Sequence, residues 1–272
     1  MRPRDTAIAL LAASVVLAGC SRLTFVKPDP DRNGYDQVTP DYDVREDPHE
    51  AERLLARERV AAAAHALQAG DLAQAAQLAQ QALDGDRSQA DAHTVLALVA
   101  ERQGRAQEAG EHYAAAVKLA PASGIALNNY GVWLCGAGRA AESLPLFDRA
   151  LADPAYPTRA RALANAGSCA LRAGQPARAE RDLRQALDLD PAEPTALAAM
   201  ARVEYAAGDY LQARAFSERR LAAAAATPEV LQLASQIEQK LGDAAASARY
   251  VQRMRDEFPL SQQTPRGGES QQ

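Results

Sequence analysis

Six glycines recur along this chain at a nearly constant interval. They are Gly70, Gly104, Gly138, Gly174, Gly208 and Gly242, and the steps between them are 34, 34, 36, 34 and 34 residues. A fixed interval of about 20–50 residues is the signature of a repeat architecture, in which each unit buries its apolar face against its neighbours. The interval therefore predicts about six stacked units in place of a single globular core.

The residues within each interval predict a pair of helices. With each glycine at position 15 of a 34-residue unit, the units begin near Ala56, Ala90, Gly124, Ala160, Pro194 and Pro228. Small residues then occupy positions 8 and 20 in every unit: Ala63, Ala97, Gly131, Gly167, Ala201 and Ser235, and Ala75, Ala109, Ser143, Ala179, Ala213 and Ser247. This pattern, with a proline near position 32, is typical of tetratricopeptide repeats. The predicted fold is an all-α, right-handed superhelical solenoid of about six tetratricopeptide helix-turn-helix repeats.

The last two units depart most from the pattern. Position 27 is alanine in the first four units but Arg220 and Met254 in the fifth and sixth. Two extra residues also lie between the third and fourth units, within Asp153–Pro157. A loop is where an insertion costs least, so we expect the helices on either side to be preserved.

The N-terminus predicts a lipid anchor. Arg2 and Arg4 precede a short apolar run, which ends in Leu-Ala-Gly-Cys at Cys20. That run is too short to span a bilayer. Its ending resembles the bacterial lipobox, whose cysteine is acylated and becomes the first residue; the alternative is a soluble secreted protein with a chance cysteine. Lipoproteins kept at the inner membrane often have Asp in the place of Ser21, so we expect the periplasmic face of the outer membrane.

These features divide the chain into four segments. Residues 1–19 are predicted to be a lipoprotein signal peptide and residues 20–48 a lipidated flexible tether, because the latter are rich in Pro, Asp, Asn and Gly without apolar periodicity. Residues 49–261 are predicted to form the tetratricopeptide domain, and residues 262–272 a disordered tail.

Charge and motifs exclude several classes of function. The net charge of −5 argues against nucleic-acid binding, which calls for a basic surface. The sequence has no H-E-x-x-H, G-x-S-x-G or Walker motif, and its four histidines are too far apart for a local metal motif. We therefore expect no enzymatic activity, no cofactor, no metal site and no small-molecule substrate.

Two cysteines besides Cys20 lie late in the first helices of adjacent units. Cys135 is at position 12 of the third unit and Cys169 at position 10 of the fourth. First helices of adjacent units stack side by side in this fold. The residues alone leave two possibilities, a disulfide or two small buried thiols.

The first helices of such a solenoid line an inner surface that binds partners. Positions 2, 5, 6, 9, 12 and 13 face it. The predicted groove residues are Asn128, Asn129, Arg161, Asn165, Ser168, Arg172, Arg202 and Tyr205, together with Val132, Ala164 and Leu171. Amide, guanidinium and aromatic groups suit peptide binding. The alternative is that some of them only satisfy neighbouring helices. The fourth unit has Arg161 and Asn165 where a carboxylate clamp needs two cations, so capture of a C-terminal carboxylate is not indicated.

Several segments together resemble one family. The chain reads LNNYGVWLC up to Cys135, NAGSC up to Cys169, then DLDP and ALAAMARVEYAAGDYLQAR. With the lipobox, these resemble the type IV pilus biogenesis/stability proteins, the PilW/PilF-type pilotins. The resemblance implies a protein-binding scaffold that helps subunits of the pilus secretin localise and multimerise. It also implies a disulfide between Cys135 and Cys169.

Other functions remain open on the sequence. The alternatives are a repeat lipoprotein of another envelope assembly, such as β-barrel assembly or an adherence pilus, and a regulator of a cell-wall enzyme. An enzyme with attached repeats is disfavoured, because no region of about 60 residues or more lies outside the repeats.

Overall fold

Helices make up the regular secondary structure throughout the part of the chain that the computed structural model describes, residues 48–259. These residues all belong to one unit, Glu46–Gln272. The helices are α1 Pro48–Gln68, α2 Leu72–Gly85, α3 Ala90–Arg102, α4 Ala106–Leu119, α5 Gly124–Gly136, α6 Ala140–Ala152, α7 Arg159–Arg172, α8 Pro176–Leu189, α9 Pro194–Ala207, α10 Tyr210–Ala223, α11 Pro228–Leu241 and α12 Ala244–Glu257.

The twelve described helices form six successive pairs. Within each pair the first helix packs along the second, and each second helix also contacts the first helix of the following pair. First helices of consecutive pairs touch one another directly, from α1 and α3 through to α9 and α11. The first helices therefore share one continuous surface, and the prediction of an all-α tetratricopeptide solenoid is confirmed.

The glycine interval marks the turn inside each pair. All six glycines have φ between +71° and +84°, the left-handed region that residues bearing a Cβ seldom adopt. No other residue among residues 48–259 has a positive φ. At Gly138 the turn is closed by two backbone bonds, from Gly138 N to Cys135 O (3.3 Å) and from Arg139 N to Leu134 O (2.9 Å). This pair of hydrogen bonds is the Schellman motif that ends many helices.

The small residues at positions 8 and 20 are buried where the two helices of a pair cross. A Cβ added to Gly131 would lie 2.9 Å from the Phe147 ring, and one added to Gly167 would lie 2.6 Å from Leu183 Cγ. Real Cβ atoms do not approach so closely, because interiors are already close-packed. The absence of a side chain is thus what lets α5 meet α6, and α7 meet α8.

The inserted loop is fastened to the unit before it. Tyr156 is buried and lies against Gly124, where an added Cβ would be 2.8 Å from the tyrosine Cβ and Cγ. Asp153 Oδ2 accepts a hydrogen bond from Gly124 N at 2.9 Å, which satisfies a free amide at the start of α5. The insertion leaves α6 and α7 intact, as expected for a loop site.

The last two pairs replace small apolar contacts by polar ones. Arg220, where earlier units have alanine, is buried and donates from Nη1 to the carbonyl oxygens of Ala224 (3.1 Å) and Ala225 (3.2 Å). In the sixth pair the hydroxyls of Ser235 and Ser247 bond each other at 2.8 Å. Arg220 therefore departs from the pattern as a hydrogen-bonded group, whereas Ser235 and Ser247 keep small residues at positions 8 and 20 and join them by a hydrogen bond.

Several predictions concern residues outside 48–259. The signal peptide, the lipidation of Cys20, most of the tether and the C-terminal tail all lie outside the described residues. Among the helices that are described, none combines the length and apolar character needed to cross a membrane.

Candidate partner-binding groove

A disulfide joins the third and fourth helix pairs. Cys135 is near the end of α5 and Cys169 near the end of α7, and their Cα atoms are 5.8 Å apart with the sulfur atoms bonded. Both residues are buried, in one cluster with Leu144 and Phe147 of α6. The bond holds two adjacent first helices at a fixed separation at this level.

A pair of asparagines connects the same two helices. Asn165 of α7 donates from Nδ2 to Asn128 Oδ1 of α5 at 3.0 Å. Asn128 is only 6% exposed, and its own Nδ2 donates weakly to Asn129 Oδ1 at 3.4 Å. The expectation that Asn128 offers its side chain to a partner is corrected, because that side chain is enclosed between helices and its oxygen is already bonded.

Two cavities in the described residues have volumes of about 420 Å³ and 460 Å³. The one of 460 Å³ opens beside the disulfide. We call it the inner groove. It is lined by Val132, Cys135, Gly136, Asn165, Ser168, Cys169, Leu171, Arg172, Ala199 and Arg202. These residues come from α5, α7 and α9, the first helices of three consecutive pairs. The groove therefore lies on the shared surface of the first helices.

The inner groove combines apolar walls with positive charge. Val132 is exposed on α5, although it is a large apolar residue. Arg172 donates from Nη1 to Cys135 O at 3.3 Å, and Arg202 projects from α9. Aspartate and glutamate are absent from its described lining. Such a surface suits a segment that carries an apolar side chain and acidic or amide groups.

The structure places the predicted groove residues in three different settings. Asn165, Ser168, Arg172 and Arg202 line the inner groove, as do Val132 and Leu171. Arg161 instead lines the second cavity, at the start of α7. Tyr205 is half-buried and its ring packs on Tyr210, with centroids 5.5 Å apart.

Two further predicted positions contribute less surface. Asn129 is half-buried beside Asn128, and Ala164 is fully buried. Four residues outside the predicted set also line the inner groove: Gly136, Ala199 and the two cysteines. Cys135 could have been included, because position 12 is one of the inner-face positions.

His93 and His112 meet within the second helix pair. Their Nδ1 atoms are 3.0 Å apart, so one ring donates to the other. Burial lowers the pKa of both, and the proximity of His112 lowers the pKa of His93 further. A metal site built of three or more His, Cys, Asp or Glu side chains is not found among residues 48–259. We interpret the histidines as a hydrogen-bonded pair that links α3 to α4.

Tetratricopeptide-repeat family models match three overlapping stretches of the chain, residues 60–124, 122–192 and 170–237. The sequence is also similar to the type IV pilus assembly protein PilF of Pseudomonas aeruginosa, with 33% identity over 150 residues. That match covers 55% of this chain and 60% of the length of PilF.

Two solved structures extend the similarity over more of the chain. The crystal structure of PilW, described as a widely conserved type IV pilus biogenesis factor, is 31% identical, with a TM-score of 0.68. The match covers 76% of this chain and 95% of PilW. The structure of PilF from Pseudomonas aeruginosa is 26% identical with a TM-score of 0.67, and the match covers 77% of this chain and 95% of that one.

Proposed function

The chain belongs to the family of tetratricopeptide proteins of type IV pilus biogenesis that includes PilW and PilF, and from this membership we propose that it is a pilotin. In this role it binds the secretin subunit of the pilus machinery and promotes its localisation and multimerisation. Its work is protein binding, without catalysis or a cofactor.

The observation that carries the proposal is the inner groove. Its apolar wall, two arginines and Asn165 lie on first helices, two of which, α5 and α7, are held together by the disulfide. Buried apolar contact supplies affinity, while guanidinium groups select acidic or amide partners. We infer that a segment of the secretin subunit lies across α5, α7 and α9.

We further propose that Cys20 is lipidated and anchors the protein to the periplasmic face of the outer membrane. A tether of about 28 residues behaving as a random coil has an end-to-end distance of roughly 30 Å. The anchor then keeps the groove at high effective concentration near a membrane-bound partner, without needing a larger interface.

The groove is tested by charge reversal. The full chain carrying Arg172→Glu and Arg202→Glu should recover at least about tenfold less secretin subunit when it is purified from envelope extracts, because both changes place repulsive charge where acidic groups bind. Arg184→Glu is the matched control, since Arg184 is exposed on α8, outside the groove, and among residues 48–259 its ion pair is with Glu180 at 2.6 Å. Equal recovery by the groove variant and the control would refute the groove assignment.

The anchor is tested separately. Cells carrying Cys20→Ala should contain fewer secretin multimers that resist denaturing electrophoresis, at unchanged levels of the variant protein. Unchanged multimers at the outer membrane would contradict the proposed role of the lipid. Recovery of a β-barrel assembly component in place of the secretin would contradict the choice of partner.

A further inference from the structure

The second cavity lies where two first helices begin. Its volume is about 420 Å³, and it is formed by the starts of α7 and α9 and the end of α8. We call it the Glu193 cavity. It is lined by Pro157, Thr158, Arg159, Ala160, Arg161, Leu189, Asp190, Glu193 and Pro194.

Among the described residues, Glu193 is the one whose side chain has a buried polar atom without a hydrogen-bond partner. It is 2% exposed, and its Oε2 accepts from Thr195 N at 3.3 Å at the start of α9. Its Oε1 is buried and has no hydrogen-bond partner. A buried carboxylate oxygen without a donor is costly, and folded proteins satisfy nearly all such groups.

The nearby arginines do not supply the missing donor. Arg159 donates from Nη1 to Leu151 O at 2.7 Å, which turns its guanidinium toward the end of α6. Arg161 is exposed and makes no hydrogen bond or ion pair with the described residues. Asp190 adds a second carboxylate, and its Oδ1 accepts from Ala192 N at 2.9 Å. The lining thus holds two carboxylates, one of them lacking a donor, and two guanidinium groups that do not bond that oxygen.

Apart from Thr158, the remaining wall is apolar. Leu189 is 59% exposed, which is high for a large apolar side chain, and Pro157, Ala160 and Pro194 lie around it. A long alkyl stem could cover Leu189 while its charged end reaches Glu193, since lysine and arginine side chains have both parts. A small inorganic cation would leave this apolar surface uncovered.

The Glu193 cavity also adjoins the inner groove along one helix. Arg161 in the cavity and Asn165 in the groove are four residues apart on α7, a rise of about 6 Å. An extended segment lying in the groove can therefore reach the cavity with the next one or two residues.

We propose that the Glu193 cavity is a subsite for a basic side chain, a lysine of the same protein segment that occupies the inner groove. The ammonium group donates to Glu193 Oε1, with Asp190 as a second neighbouring charge, and the methylene stem covers Leu189. This inference rests on the proposed function only in assigning the lysine to the segment in the groove; the binding of a lysine side chain stands on the cavity alone.

The test uses three capped tripeptides, acetyl-Ala-Lys-Ala-amide and its norleucine and glutamate counterparts. Each is titrated into the ¹⁵N-labelled full chain in detergent micelles, and amide resonances are followed. The lysine peptide should shift Thr158–Arg161 and Thr195 with millimolar affinity, whereas norleucine, which has the stem without the charge, should bind at least tenfold more weakly. Equal shifts with norleucine, or shifts with the glutamate peptide only, would overturn the proposal.

Two substitutions localise the effect. Glu193→Gln should weaken the lysine peptide at least tenfold, and Asp190→Asn several-fold, whereas Glu180→Gln on the outer side of α8 should leave it unchanged. The thermal midpoint of Glu193→Gln should not be lower than that of the original protein, because the change removes a buried charge that lacks a donor. A lysine response that survives Glu193→Gln in the folded protein also overturns the proposal.

The two proposals fail in different ways. If the original protein recovers no secretin subunit while the lysine peptide still binds, the proposed function is wrong and the cavity stands; if Arg172→Glu with Arg202→Glu leaves secretin recovery unchanged, only the groove assignment is wrong. If secretin recovery falls but lysine and norleucine peptides behave alike, the cavity proposal is wrong and the groove stands.

Discussion

Asn165 on α7 donates a hydrogen bond across the helix interface to Asn128 on α5, 3.0 Å away and one helical turn from the disulfide at Cys169. The amide pair adds a hydrogen bond to the disulfide that already joins the third and fourth units. It also explains why an asparagine on an inner-face position is enclosed.

Loss of the asparagine bond should destabilise the fold. Asn165→Ala leaves Asn128 Oδ1 buried without a donor, which costs about 1–3 kcal/mol. Thermal denaturation should show a midpoint lower by several degrees, since 1 kcal/mol corresponds to about 2–4 °C in a domain of this size. Asn129→Ala, which removes only a 3.4 Å contact at a half-buried site, is the control and should have little effect. Equal midpoints for the two variants would contradict this account.

The disulfide should contribute more than any single side chain in the groove. The loop between Cys135 and Cys169 spans 34 residues. In the chain-entropy model its closure stabilises the fold by about 3–4 kcal/mol. Urea unfolding of the double variant Cys135→Ala, Cys169→Ala should show that loss under oxidising conditions. A reductant should weaken the original protein to the same degree and leave the variant unaffected; identical unfolding of both oxidised proteins would disprove the contribution.

The histidine pair predicts a loss of stability in mild acid. Because burial lowers the folded-state pKa of His93 and His112, the unfolded chain binds more protons at pH values near and below 6.5. The contribution of the histidine pair to the free energy of unfolding should therefore be fully present above pH 6.5, and the free energy of unfolding should decline as the pH falls below 6.5. The charges of Glu108 and Glu111 raise the pKa of His112, which moderates the decline. The charge of Arg105 lowers the pKa of His112.

The matched variant for this pH effect is His112→Gln, whose amide cannot be protonated. Urea unfolding between pH 8 and pH 5 should give a shallower slope for the variant. Carboxylates titrate in both proteins and cancel in the difference. Parallel slopes would mean that the pair does not titrate with folding.

Two glycines on neighbouring first helices should respond oppositely to the same substitution. Gly167→Ala places a Cβ 2.6 Å from Leu183 Cγ and 3.1 Å from the carbonyl oxygen of Ala179, and overpacking of this kind costs about 1–3 kcal/mol. Gly136→Ala meets nothing within 4 Å, and replacing a helical glycine gains up to about 1 kcal/mol. Chemical denaturation of both variants should therefore move the midpoint in opposite directions, and a shared direction would refute the packing argument.

The repeat pattern was predictable because backbone geometry enforces it. A left-handed turn in each pair leaves glycine as the residue of choice, and a close helix crossing leaves room only for small side chains, so both constraints are visible in one sequence. Position 27 was less informative: Arg220 replaces alanine there yet remains buried, because the loop after α10 provides carbonyl oxygens for its guanidinium.

The groove was predictable only in part. Repeat position tells which face of a helix a residue occupies, and it placed Asn165, Ser168 and Arg172 correctly on the inner surface. It does not tell whether a neighbouring helix has already bonded the side chain, which is what happened to Asn128. The Glu193 cavity depends on how two loops far apart in sequence approach each other, and no periodic signal reports that approach.

The covalent bond between α5 and α7 has a consequence for binding kinetics. Because the wall of the inner groove is fixed, the free protein already has the spacing that a bound segment meets, and little conformational entropy is lost in shaping the site. Association is then a matter of encounter and side-chain fit, close to rigid docking. A reduced molecule would have to close its own groove around each segment, and we would see that difference as a slower rate of association.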